Sequence, residues 1–201
     1  MFWVAYPARF LGSFGIRAIW GSIFAELGFL ASMTAEARTV LIHHLYVSPG
    51  HDFRGRHGEG RRTHEILDKE QVELVAGSGI VGDRYFDYKE DFKGQVTFFE
   101  EEVWSEVKEQ FDLPALAPST FRRNVIVSGI RLNEMIGRRF TIGELEFTGS
   151  EEAKPCYWMD EACKPGVEEF LKGKGGLRCR IVGGGSLTKG TFELRDLGSV
   201  D

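Results

Sequence analysis

The sequence predicts a mainly β, barrel-like and mostly antiparallel fold carrying about two or three helices. Three observations carry that expectation. Short β-branched or alternating apolar segments recur between glycines. Helix-period patterns are few and do not alternate with the strands, as a doubly wound sheet would require. Finally, 25 glycines against six prolines supply the tight turns of a strand-rich chain. Sixteen Phe and four Trp give enough apolar surface for one core, and we see no internal repeat and no second domain in the 201 residues.

The first 32 residues, MFWVAYPARFLGSFGIRAIWGSIFAELGFLAS, stand apart in being rich in aromatic and small residues. Arg9, Arg17 and Glu26 cut them into apolar runs far shorter than the ~20 residues that a spanning helix requires. They also lack the leading positive charge and single apolar stretch of an export signal. We expect an extension arising from an upstream start codon, outside the mature domain, with the domain itself over residues 33–201. An interfacial helix or a transit-like segment is the alternative.

TVLIHHLYV (39–47) is β-rich and reads as a first core strand. SPGHDFRGRHGEGRRTH (48–64) follows, polar and punctuated by glycine. A stretch of 17 such residues inside a compact domain marks a binding loop or a mobile one. QVELVA (71–76) and GQVTFFE (94–100) read as strands on either side of the turn GSGIVGDRY. In EEEVWSEVKEQF, Val103, Trp104, Val107 and Phe111 recur at helical spacing with acids and Lys108 opposite, which predicts an amphipathic helix packed on the sheet. NVIVSG (124–129), RRFTIGELEFTG (138–149), GLRCRIV (176–182) and TFELRDL (191–197) read as strands. PGVEEFLKG reads as another helix, with Pro165 near its start and Gly173 past its end.

A formal net charge of −5 argues against duplex DNA or another long polyanion as partner, so no nucleic acid is expected. Locally the balance reverses. Between Phe121 and Phe140, Arg122, Arg123, Arg131, Arg138 and Arg139 face one acid, Glu134, which suits a compact anion. For Arg131 and Arg138, surface ion pairs are the favoured reading. Cys156, Cys163 and Cys179 form neither an even disulfide framework nor a CxxC pair, which fits a reducing, cytoplasmic setting. The histidines match no zinc-finger spacing.

GSGIVG (77–82) satisfies GxGxxG, but DRYFDYKEDFKG after it has no helical periodicity, so the glycines read as a turn with positive φ rather than a dinucleotide fingerprint. Asp83 and Arg84 directly follow, held to orient a ligand or to pair with each other. In FRRNVIV (121–127), period two throws Arg122 and Asn124 to one face and Arg123 to the other. Those arginines offer forked donors to a phosphate, or form a solvated strand end. PCYWMDEACKPG (155–166) places Cys156 in a loop with Lys154 and Lys164 nearby. A packed inert thiol and a reactive thiolate both fit a cysteine in that position. Cys163 and Cys179 read as structural. There is no GxSxG and no P-loop ending.

Taken in this order, GIVGDRYF (79–86), KGQVTFF (93–99), FRRNVIVSGIRLNEMIGRRFTIGELEFTG (121–149), PCYWMD (155–160) and GGLRCRIV (175–182) resemble a MOSC domain, the molybdenum cofactor sulfurase C-terminal type, over about residues 39–195. The loop SPGHDFRGRHG is similar to the small stand-alone bacterial members. The resemblance implies a β-barrel-like fold, a single functional cysteine, falling on Cys156, and a basic pocket for the pterin phosphate of the molybdenum cofactor (molybdopterin). That pocket is carried over to Arg122, Arg123 and Asn124, and then to Asp83, Arg84 and Lys93. Two mechanisms follow. In one, Cys156 ligates molybdenum and the protein reduces small N-hydroxylated compounds, taking electrons from separate electron-transfer proteins. In the other, Cys156 carries a persulfide received from a cysteine desulfurase that holds pyridoxal phosphate. A noncatalytic anion-binding module is the third reading.

Overall fold

The structure, a computed structural model, describes Met1, residues 37–52 and residues 62–200. The expectations for residues 1–32 and for the middle of the 48–64 loop lie outside the described residues. The elements run β1 (Ala37–Val47), β2 (Leu67–Asp68), β3 (Gln71–Val75), β4 (Gly79–Ile80), β5 (Val96–Glu100) and α1 (Glu101–Gln110). They continue with β6 (Val125–Ser128), β7 (Arg138–Ile142), β8 (Leu145–Glu152), α2 (Trp158–Ala162), α3 (Val167–Phe170), β9 (Leu177–Gly183), β10 (Gly185–Thr188) and β11 (Gly190–Ser199).

Strands β11, β7, β8, β9, β5, β6 and β1 are hydrogen-bonded in that order, and β1 pairs back onto β11, so seven strands close a barrel. Closure removes the unpaired ladder edges that an open sheet would present. All pairings around the ring are antiparallel except β5–β6, and α1 is the crossover that this parallel pair needs. Strands β3, β4 and β10 form a separate small sheet. The fold is thus mainly β and barrel-like, with three helices among the described residues, as the strand-rich patterning predicts.

Two apolar layers hold it together. The barrel interior is filled by inward side chains, among them Phe98, Phe140 and Phe147, whose ring centroids lie 5.4–6.4 Å apart. The second layer lies outside the barrel wall. There Val103 and Val107 of α1, with Trp158, Met159, Val167 and Leu171, cover Tyr46, Phe99 and Ile126. Strand β1 serves both layers because of a bulge between Ile42 and His44. Before it Val40 and Ile42 point into the barrel; after it Leu45 and Val47 do, and Tyr46 turns to the outer layer. One extra residue shifts a period-two pattern by one, which is the physical effect of a bulge.

The structure departs from the sequence reading in three places. PCYWMDEACKPG is not all loop, because Trp158 and Met159 bury into the outer layer and wind the short helix α2. GGGSLTKG contains β10, paired with β3. Strand β6 begins only at Val125, so residues 122–124 do not alternate. Arg122 instead adopts the left-handed conformation (φ 53°, ψ 37°) that ends the 3-10 turn Pro118–Phe121. Among the described residues, no helix is long and apolar enough to cross a membrane.

Candidate functional site

The left-handed turn at Arg122 decides the site. It cancels the period-two separation of the arginine pair, so that Arg122 and Arg123 line one cavity instead of opposite faces. Arg84, Tyr85, Phe92, Gly94, Thr97, Ala153 and Arg178 complete its lining, around a cavity of about 50 Å3 that opens to solvent. Arg178 was not singled out from the sequence. Its signal was there, because alternation in LRCRIV puts Cys179 inside the barrel and Arg178 outside, where the register sets it opposite Thr97.

Arg122 and Arg123 differ in how their charge is met. Arg122 forms an ion pair with Asp52, whose side chain is fully buried, and its Nη2 donates to Ser48 Oγ (3.0 Å) and the Gly50 carbonyl (2.8 Å). Among the described residues Arg123 donates only to backbone carbonyls, from Nε to Gly175 (3.0 Å), Nη1 to Phe121 (3.0 Å) and Nη2 to Ala153 (2.7 Å). Burial pushes the Arg123 guanidinium down to about 10, and the like charges of Arg178 and Arg84 push it the same way, while Cys156 and Tyr85 oppose. Arg123 is therefore a cation that the protein solvates without neutralising.

Asp83 and Asn124 lie behind this wall. Asp83 accepts from the amides of Ser48 (3.2 Å) and Tyr85 (3.1 Å), from Arg84 Nη1 (3.3 Å) and from Asn124 Nδ2 (3.2 Å). Asn124 Oδ1 accepts from the Thr97 amide and hydroxyl, and its Nδ2 also donates to the Tyr46 carbonyl. Arg84 donates from Nη2 to the Arg122 carbonyl at 3.1 Å and lies over the Tyr85 ring, 4.9 Å from its centroid. The ring of His51 meets Tyr85 edge-on, and Tyr85 and Phe92 make an aromatic wall. Lys93 is not brought to the lining; it is exposed and pairs with Glu151.

Cys156 is half-buried at the margin of the outer core layer, between β8 and α2, and its carbonyl accepts the Met159 amide that opens the α2 turn. It follows by three residues the Ala153 carbonyl that holds Arg123, close enough for the two side chains to interact electrostatically. The other cysteines have different surroundings. Burial raises the Cys163 thiol to about 11, with Asp160 adding to the shift, and burial holds the Cys179 thiol well above the usual range inside β9. Arg138 and Arg139 are spent on surface ion pairs with Asp196 and Glu146.

The model of the MOSC domain family matches residues 68–191 of this chain. Among solved structures, the YuaD protein from Bacillus subtilis is similar at 17% identity with a TM-score of 0.65, covering 84% of this chain and 100% of its own. YiiM from Escherichia coli is similar at 17% identity and a TM-score of 0.56, covering 83% of this chain and 72% of its own. YiiM from Geobacillus stearothermophilus gives 14% and 0.54, covering 81% and 75%. At these identities the likeness is one of fold. Among curated proteins no sequence matches this chain significantly.

Proposed function

The chain belongs to the MOSC domain family, and on that premise we propose that it binds the molybdenum cofactor, with Cys156 as the metal's protein ligand, and reduces small N-hydroxylated compounds. The observation that carries this reading is the Arg123 guanidinium, held by neutral backbone carbonyls and within electrostatic reach of a half-buried thiol. A phosphate ester supplies the missing negative charge, and a thiolate is the soft donor that molybdenum takes. The residues present therefore fit the group in both parts of its chemistry.

Arg123, Arg84 and Arg178 would take the phosphate, and Tyr85 and Phe92 would shield the cavity from water. Asp83 holds Arg84, so that donor is set before a ligand arrives, and Asn124 fixes the Thr97 wall beside it. When bound, the cofactor supplies oxygen-atom abstraction. The overall reaction converts R–NHOH to R–NH2 and water, and consumes two electrons and two protons. The electrons come from a separate electron-transfer protein.

Metal and pterin analysis of protein purified from a host that makes the cofactor tests the proposal. Molybdenum and released pterin in equal amounts, both lost in Cys156→Ser or Arg123→Gln, is the expected outcome, and their absence from the wild-type chain overturns it. The partial exposure of Cys156 also suits a persulfide carrier supplied by a cysteine desulfurase. Labelled sulfur taken up on Cys156 by a chain without molybdenum would replace the first reading with that one.

A further inference from the structure

A clasp outside the matched family region reaches the cavity through Arg122. Asp52 Oδ1 accepts from both the backbone amide (2.7 Å) and the ring Nδ1 (2.9 Å) of His64, while Oδ2 takes Arg122. The His64 ring packs closely on Gly50, where an added Cβ would sit 2.2–2.6 Å from ring atoms. The Gly50 carbonyl and the Ser48 hydroxyl hold the second terminal nitrogen of Arg122. The Arg122 carbonyl in turn holds Arg84. The two ends of the 48–64 excursion are thus tied to each other, and together to the cavity wall.

We infer that the adjacent arginines divide the work: Arg123 contacts the anion, and Arg122 is a positioning residue, locked by Asp52, His64 and Gly50 and acting through the geometry it imposes on Arg84. Charge separates the roles. The charge of Arg122 is met by a buried carboxylate, so an incoming anion gains little from it at net; Arg84 also faces one, Asp83, but at 3.3 Å and shared with three other donors, so its charge is met only in part. The partners of Arg123 are neutral, so the anion meets its full charge. The inference rests on the anion cavity of the proposed function, and it does not require the anion to be a pterin phosphate.

Sulfate titrated into the full chain by calorimetry tests it, with thermal melting as the check on folding. Arg123→Gln is expected to weaken sulfate binding at least about tenfold, the loss of a charge-assisted contact. The double variant Asp52→Asn with Arg122→Gln replaces the ion pair by a shorter pair of neutral amides and leaves the net charge unchanged. It is expected to stay within about threefold of wild type. Gly50→Ala removes no polar group but drives the His64 ring off Asp52, and about a fivefold loss is expected. His64→Ala serves in its place if Gly50→Ala does not fold.

A neutral-pair variant as weak as Arg123→Gln would make Arg122 an anion ligand and overturn the division. So would wild-type affinity in whichever of Gly50→Ala and His64→Ala folds, or a wild-type chain that takes no sulfate. A chain that purifies without molybdenum and pterin yet separates the variants as expected loses the cofactor reading and keeps this one.

Discussion

Asn124 shows how a single amide governs the site without facing it. It is 2% exposed, and all four of its hydrogen-bonding positions are used within the protein, on Thr97, Tyr46 and Asp83. Asn124→Ala strands the Thr97 amide and hydroxyl in the interior, so we expect a loss of about 3 kcal/mol in denaturant unfolding. Glu100 is the contrasting case. It sits below a second cavity with one oxygen on the Leu132 amide, and burial raises its carboxyl, opposed by that amide and by Arg131. A raised carboxyl favours the protonated fold, so its charge penalty is absent in acid. The penalty sets in as pH climbs past the unfolded value of about 4.3 and is complete above the folded one. Glu100→Gln should therefore raise Tm at neutral pH, with the gain fading towards about pH 4. A gain independent of pH would mean that the charge is not the cause.

Among the elements, the barrel strands were legible because each carries its own period, and β1 even displays its bulge, with Val40 and Ile42 in one phase and Leu45 and Val47 in the other. The helix α1 was legible for the same reason. Helix α2 was not, because five residues are too few for a helical period to emerge and its winding follows from burying Trp158 and Met159. The site was half legible. Cys156 and the arginine pair announce themselves by type and neighbours. Asp52, His64 and Arg178 reach the cavity only through chain closure, and the left-handed turn at Arg122 carries no glycine to signal it. Close strand approach explains one further demand. Gly149 lies where an added Cβ would meet the Met135 carbonyl at 2.0 Å, beside a bulge in β8 and a bridge to Ile136. Gly149→Ala must push that backbone aside, and we expect about 2–4 kcal/mol of destabilisation by chemical unfolding. A change below about 0.5 kcal/mol would show that β8 yields there freely.

For the whole molecule, barrel closure gathers guanidinium groups from three separate segments, Arg84 after β4, Arg122 and Arg123 before β6, and Arg178 on β9, in a chain whose net charge is −5. Repulsion among them opposes folding in the absence of an anion, and Asp52 offsets it at Arg122 alone of the adjacent pair. An anion that binds only the folded state stabilises it by mass action. At one hundred times its dissociation constant the gain is about 2.7 kcal/mol. For a domain of this size that corresponds to roughly 5–11 °C in Tm. Sulfate should give a rise of that order in the wild-type chain when chloride at equal ionic strength does not, since screening acts on all surface charges alike and a seated ion does not. Arg123→Gln should remove most of the rise. A rise unchanged in that variant would place the anion elsewhere, and with it the charge around which the cavity is built.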